Sequence, residues 1–296
     1  MNLLSMDDLR LEDINWLLSH AEQSEQIETQ NQLTAALLFY EPSTRTKLSF
    51  DMACHQLGVH QLDFQENMSS VSKGESLYDT VKTIESIGAD FIVIRHPKEN
   101  YYKELEQISI PVINAGDGSG EHPSQCLLDL LTIKQEFDNF EGLKVAIAGD
   151  IKHSRVAKSN AKTLERLGAE VSFVSPMNWQ DQTLSFPYIT MDEACENADV
   201  LMLLRVQHER HVQQKETNID SYLEQFGLTK TREKMMKDTS IIMHPAPINR
   251  GIEIDSDLVE IKRSRIFKQM KNGVKMRKAI INYCLHKEEL RNENIN

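Results

Sequence analysis

The chain has 296 residues and a mass of 34.0 kDa, a length that fits about two domains. Hydrophobic residues make up 40% and charged residues 26%, the balance of an ordinary water-soluble globular protein. Lys and Arg number 33 against 45 Asp and Glu, a net charge of −12, which argues against a general nucleic-acid binder because such binding draws on cations facing phosphates. Cys54, Cys126, Cys195 and Cys284 are far apart, neither a zinc knuckle nor a redox pair, and read as reduced thiols. The N-terminus carries acids early and lacks a basic, then apolar, signal pattern, and no run approaches the ~18 apolar residues of a spanning helix. A cytoplasmic protein without membrane attachment is the expectation.

Short apolar runs alternate with longer segments of helical period, which predicts an α/β fold with parallel sheets. In chain order, strands are predicted at Leu33–Tyr40, Phe91–Ile94, Pro111–Asn114, Leu143–Ala148, Glu170–Val174, Val200–Leu204 and Ser240–Met243. Helices are predicted between and after them, at Lys47–Gly58, Leu77–Gly88, Ser124–Phe137, Arg155–Gly168 and about Val274–Glu288. Runs such as Val145–Ala148 are apolar at every position, as strands covered on both faces must be. Polar residues at Phe137–Glu141 precede a fresh strand–turn–helix unit and mark the domain boundary.

Ligands of open parallel sheets bind outside the carboxyl ends of the strands. Here those ends run into Glu41-Pro-Ser-Thr-Arg-Thr46, Arg95-His-Pro97, the turn before His122-Pro-Ser-Gln125, Gly149-Asp150 with Arg155 beyond, Arg205-Val-Gln207 and His244-Pro-Ala-Pro247. If the sheets are parallel, four arginines together with histidines are delivered toward one crevice, a cationic pocket in an anionic protein that suits a multiply charged anion.

Ser43-Thr44-Arg45-Thr46 is the sharpest local signal. The first turn of a helix exposes unpaired N–H groups, hydroxyls add donors, and a guanidinium grips phosphate through two parallel hydrogen bonds. By itself the motif also reads as an N-cap followed by a surface arginine, but its place behind an apolar strand and Pro42 favours the anion site. Taken singly, Arg95 reads equally as an edge residue, His122 as a turn residue, Gln125 as a helix cap, and Arg155 and Arg205 as surface charges. Lys73 lies in a hydroxyl-rich loop, Ser69–Glu75, of the kind that carries function on a rigid scaffold. Their joint occurrence at successive strand ends is what points to a site.

Other chemistries lack their motifs. No G-x-G-x-x-G follows a strand, no G-x-x-x-x-G-K-[ST] is present, no H-E-x-x-H offers a metal site, and no G-x-S-x-G presents a nucleophile. No metal and no cofactor are implied.

Phe39-Tyr-Glu-Pro-Ser-Thr-Arg-Thr46 resembles the carbamoyl-phosphate signature of the aspartate/ornithine transcarbamylase family, and Arg95-His-Pro97 and His122-Pro-Ser-Gln125 resemble its next two blocks. Within the family, Arg205-Val-Gln207, His244-Pro-Ala-Pro247 and the loop Ser69–Glu75 resemble the aspartate-using branch, and the His-Cys-Leu-Pro and Ser-Met-Gly blocks of the ornithine branch are missing. The resemblance implies two domains, each a parallel sheet flanked by helices: residues 1–137 for carbamoyl phosphate, with the C-terminal helix 274–296 packing back on it, and 138–273 for aspartate. It implies transfer of a carbamoyl group from carbamoyl phosphate to L-aspartate, a step of de novo pyrimidine biosynthesis.

Ser43, Thr44, Arg45, Thr46 and Arg95 would then hold the phosphate, and Thr46, Arg95 and His122 the carbonyl oxygen. Gln125 and the carbonyls of Pro245 and Ala246 would hold the carbamoyl NH₂; Arg155 would take the α-carboxylate of aspartate, and Arg205 with Gln207 the β-carboxylate. The family also implies a homotrimer with shared sites, Ser69 and Lys73 reaching in from the neighbouring chain and Lys73 touching both substrates, and closure of the second domain when both ligands are bound. Whether regulatory chains attach is not implied either way.

Overall fold

The computed structural model describes residues 1–23, 32–65, 74–206 and 221–293. The chain divides into two compact units, Met1–Leu131 with Met270–Asn296, and Thr132–Gln269. The division passes through the interiors of two helices rather than through the turn at 137–141.

The first unit opens with a helix that the strand–helix alternation does not announce, α1 (Leu11–Gln23). Ile14, Leu17, Leu18 and Ala21 form its buried stripe at helical spacing, and Glu12 and Asp13 complement the positive end of its dipole. Four parallel strands follow: β1 (Thr34–Phe39), β2 (His60–Leu62), β3 (Phe91–His96) and β4 (Val112–Asp117), in the order β2-β1-β3-β4. Between them lie α2 (Thr44–Gln56) and α3 (Leu77–Ser86). β2 is a three-residue edge strand with no buried position, too short and too polar for its periodicity to show. The opposite edge, β4, is covered by the N-terminal segment: Leu3 N–H donates to Val112 O at 3.0 Å and Asn114 N–H to Leu3 O at 2.8 Å. Ala36, Leu38, Ile92 and Ile94 pack there with Val81 and Ile84 of α3.

After β4 comes α4 (Pro123–Phe137), and then the second sheet: β5 (Lys144–Ala148), β6 (Glu170–Val174), β7 (Val200–Leu203) and β8 (Ile241–Met243), all parallel in the order β6-β5-β7-β8. Every residue of β7 and β8 is buried, in keeping with their unbroken apolar sequence. α5 (Arg155–Arg166) is capped by Ser154, whose hydroxyl accepts from Ala157 N–H at 3.1 Å. α6 (Met191–Asn197) begins with a capping box between Thr190 and Glu193. Two one-turn helices, Tyr222–Phe226 and Lys230–Glu233, precede β8.

The final helix runs from Ile266 to Glu293, eight residues earlier than the expected start at Val274. Gly273, just before that expected start, lies in the helix interior at a close approach. A Cβ there would sit 2.5 Å from Arg277 Nη1 and 3.5 Å from Leu128 Cδ2, so glycine fills a space that larger residues would contest.

Candidate active site

In the first unit, β1 ends at Phe39 and the chain crosses Glu41, Pro42 and Ser43 into α2. Ser43 is the N-cap residue, yet among the described residues its hydroxyl makes no capping hydrogen bond, and the first turn holds no acid. The terminus therefore keeps its donors and positive end available to an anion. Thr44 and Arg45 are exposed at this end and Thr46 is buried.

β3 lies beside β1 with Phe39 opposite Arg95, so register alone puts Arg95 next to the start of α2. Tyr40 N–H donates to Arg95 O at 2.9 Å, carrying the pairing one residue further. Arg95 Nη1 donates to Ala115 O at 3.2 Å, and its Nε lies 3.2 Å from Glu41 Oε2. The guanidinium is thus oriented before any ligand arrives. Glu41 was not singled out from the sequence; its position in the strand-end block was the available signal.

β3 and β4 shift register between Ile94 and His96, and a buried polar web holds this irregular end. Tyr101 Oη donates to Ile94 O at 3.0 Å, Asn114 Oδ1 accepts from Gly116 N–H at 2.8 Å, and Asn114 Nδ2 donates to Leu4 O at 2.8 Å. Asp117 closes the turn beyond by accepting from Asn100 N–H at 2.9 Å and Glu121 N–H at 2.5 Å. His122 follows, buried at the head of α4, with Nδ1 3.5 Å from Ser124 Oγ. Gln125 does not cap this helix; it lies inside it and donates from Nε2 to Asp129 Oδ1 at 3.0 Å.

In the second unit, β5 ends at Ala148 and the chain passes through Gly149, whose φ of +143° and close approach to Leu204 admit no side chain: a Cβ would lie 2.7 Å from Leu204 Cβ. Arg155 is the first residue of α5, beyond the turn in which Asp150 accepts from His153 N–H at 3.2 Å. Arg205 follows β7 directly, since Leu204 N–H still pairs with Ala148 O at 2.8 Å. Ser69, Lys73 and Gln207 lie outside the described residues.

The turn after β8 corrects one sequence expectation. His244 does not present its ring as a ligand group at the strand end: it is buried, its Nδ1 accepts from Ala246 N–H at 2.8 Å, and its Nε2 lies 3.1 Å from Glu253 Oε1. Pro245 and Ala246 are half-buried, and Ala246 has a φ of +56° before a cis bond to Pro247. Each unit therefore gathers basic and hydroxyl groups at the carboxyl edge of its own sheet: Arg45, Arg95 and His122 in the first, Arg155 and Arg205 in the second. Among the described residues no three His, Cys, Asp or Glu side chains group as metal ligands would, and no helix is long and apolar enough to cross a membrane.

Residues 1–135 match the family model described as aspartate/ornithine carbamoyltransferase, carbamoyl-P binding domain, and residues 141–284 match the Asp/Orn binding domain of the same family. The chain is 56% identical to an aspartate carbamoyltransferase catalytic subunit of Oceanobacillus iheyensis, over 99% of this chain and 96% of that one. It is 53% identical to the corresponding subunit of Staphylococcus carnosus, over 97% and 96%. Among solved structures, the catalytic subunit of M. jannaschii aspartate transcarbamoylase superposes with a TM-score of 0.84 at 34% identity, covering 97% of this chain and 98% of that chain. The Trypanosoma cruzi aspartate transcarbamoylase in complex with N-(phosphonacetyl)-L-aspartic acid does so with a TM-score of 0.82 at 29% identity, covering 95% and 94%. With both halves matched in order, the chain belongs to the aspartate/ornithine carbamoyltransferase family.

Proposed function

We infer that the chain transfers the carbamoyl group of carbamoyl phosphate to the amino group of L-aspartate, giving N-carbamoyl-L-aspartate and phosphate, a step of de novo pyrimidine biosynthesis. The observation that carries this reading beyond family membership is the start of α2: an N-cap hydroxyl spent on no cap, a first turn without acids, and Arg95 set beside it by strand register. A dianionic phosphate suits that arrangement.

The roles follow from the chemistry. Ser43, Thr44, Arg45, Thr46 and Arg95 hold the phosphate. Thr46, Arg95 and His122 donate to the carbonyl oxygen as it gains negative charge in the tetrahedral intermediate. Gln125 and the Pro245 and Ala246 carbonyls hold the carbamoyl NH₂. Arg155 takes the α-carboxylate of aspartate, and Arg205 with Gln207 the β-carboxylate. The neutral amine attacks the carbonyl carbon, a C–N bond forms, the C–O bond to phosphate breaks, and the departing phosphate accepts the amine proton. The rate enhancement comes from positioning and preoriented charge rather than a protein nucleophile.

Ser69 and Lys73 serve the site of a neighbouring copy in a homotrimer. A cytoplasmic location fits four free cysteines, all buried. Phosphate release from carbamoyl phosphate, measured with L-aspartate, with ornithine and with neither, tests the reading. Turnover confined to the aspartate arm supports it; equal release in all three refutes it. Sedimentation analysis tests the trimer, and a monomeric active enzyme would remove the shared-site roles of Ser69 and Lys73.

A further inference from the structure

Glu253 appears in none of the motifs, yet it is a buried carboxylate, 2% exposed, at the centre of a hydrogen-bonded network. Its backbone is fixed first: Leu228 N–H donates to Glu253 O at 3.0 Å, and Leu228 bridges Ile254 beside it. Its side-chain Oε1 accepts from Asn249 N–H, at 2.5 Å, and faces His244 Nε2 at 3.1 Å.

The tautomer follows from the other side of the ring. Ala246 N–H can only donate, and it donates to His244 Nδ1 at 2.8 Å, so Nδ1 carries no proton and the ring N–H is at Nε2. His244 therefore donates to Glu253 and accepts from Ala246 at once. The His244 backbone N–H is held by Gln269 Oε1 at 2.9 Å. The second arm leaves through Asn249, whose Nδ2 donates to Val206 O at 2.8 Å, the carbonyl immediately after Arg205.

We propose that Glu253 is a positioning residue that, through His244 and Asn249, sets the Pro245–Ala246 turn and the Arg205–Val206 strand end as one preoriented platform, holding the carbonyls assigned to the carbamoyl NH₂ beside the arginine assigned to the aspartate β-carboxylate. The proposal rests on the function inferred above. One carboxylate oxygen orders both elements: the turn that presents two carbonyls in the left-handed backbone at Ala246, and the strand end that presents the guanidinium. The other oxygen, Oε2, has no hydrogen-bond partner among the described residues. A glutamine can therefore keep both bonds at Oε1 and lose none at the second position, whereas a methionine of similar length removes both.

The test compares wild type, Glu253→Gln, Glu253→Met and Asn249→Ala, reading kcat and KM for L-aspartate and the dissociation constant for inorganic phosphate. Wild-type turnover is measured first. No carbamoyl-aspartate product overturns the function and this inference with it, whereas normal turnover isolates the inference. Glu253→Met is expected to raise the KM for aspartate and lower kcat, each by roughly tenfold, with phosphate affinity unchanged within about twofold. Glu253→Gln is expected to stay within about threefold of wild type. Should Glu253→Met fail to fold, Asn249→Ala cuts the Val206 arm alone and is expected to raise the aspartate KM more than it lowers kcat. Unchanged kinetics in folded Glu253→Met, a glutamine variant as impaired as the methionine one, parallel loss of phosphate affinity, or an unaffected Asn249→Ala would each overturn the proposal.

Discussion

Asp129→Asn tests how the first unit holds a buried charge beside its candidate site. Arg277 of the final helix is 3% exposed, and its guanidinium carbon lies 5.0 Å from the centre of the Phe50 ring on α2. Burial pushes the Arg277 pKa down to about 9, while the negative charge of Asp129 on α4, itself fully buried, works in the opposite direction. A loss of more than three powers of ten in proton affinity corresponds to roughly 5 kcal/mol against the charged form, even with Asp129 present. Neutralising Asp129 strips that compensation and lowers the Arg277 pKa from about 9 toward neutrality, where the guanidinium can shed its proton, so the expected cost near pH 7 is roughly 1–3 kcal/mol. At about 2–4 °C per kcal/mol, Tm should fall by roughly 2–12 °C.

The sign with pH is set by the lowered pKa. In wild type the burial penalty is complete below about pH 9; loss of Asp129 lowers the Arg277 pKa further, so the deficit of Asp129→Asn should shrink as pH rises from about 6 to 8. Asparagine keeps an oxygen at Oδ1 to accept from Gln125 Nε2, so turnover measured well below Tm should change little. The double variant Asp129→Asn/Arg277→Met removes both charges and should recover most of the loss. Calorimetry with a parallel denaturant titration reads four proteins: wild type, Asp129→Asn, Arg277→Met and the double variant. A single variant within about 1 °C of wild type, or a double variant whose deficit is the sum of the two singles, would refute the account.

Arg45→Ala should lower kcat/KM for carbamoyl phosphate by at least ~100-fold with Tm almost unchanged, because the side chain is exposed and its work is on the ligand; normal activity removes the phosphate assignment. Gly149→Ala forces a Cβ to 2.7 Å from Leu204 Cβ at a φ of +143°, and should cost more than ~1 kcal/mol in urea unfolding and raise the aspartate KM more than it weakens phosphate binding. Lys82 and the Ser109 hydroxyl and N–H hold the Glu85 carboxyl down at about 2, so this group adds stability above its usual pKa that is lost as pH falls toward 2. After discounting for solvent, Glu85→Gln should remove roughly 1–2 kcal/mol near pH 6 and flatten the acid limb, and an unaltered limb counts against it. The thiols of Cys54 and Cys195 are pushed up to about 12 by burial, and all four cysteines are buried, so none should react with a disulfide reagent until the protein unfolds; fast labelling of any one in the native enzyme contradicts its burial.

Sequence alone determined the α/β class, seven of the eight described strands and the donor-rich start of α2, because each is written locally. An all-apolar run such as Val200–Leu203 is stable only when covered on both faces, and Ser-Thr-Arg-Thr after a strand leaves unpaired N–H groups beside an arginine. The three-residue strand at His60–Leu62 and the first turns of the final helix escaped because their reasons are not local. β2 exists by pairing with β1, and the helix passes through Gly273 because Leu128 and Arg277 lie close against it. Tertiary structure alone decided that His244 turns inward to Glu253, that Glu41 meets Arg95, and that Gln125 is held by Asp129. A side chain's partners depend on which distant segments fold against it, and a one-dimensional pattern records the residue types but not those meetings.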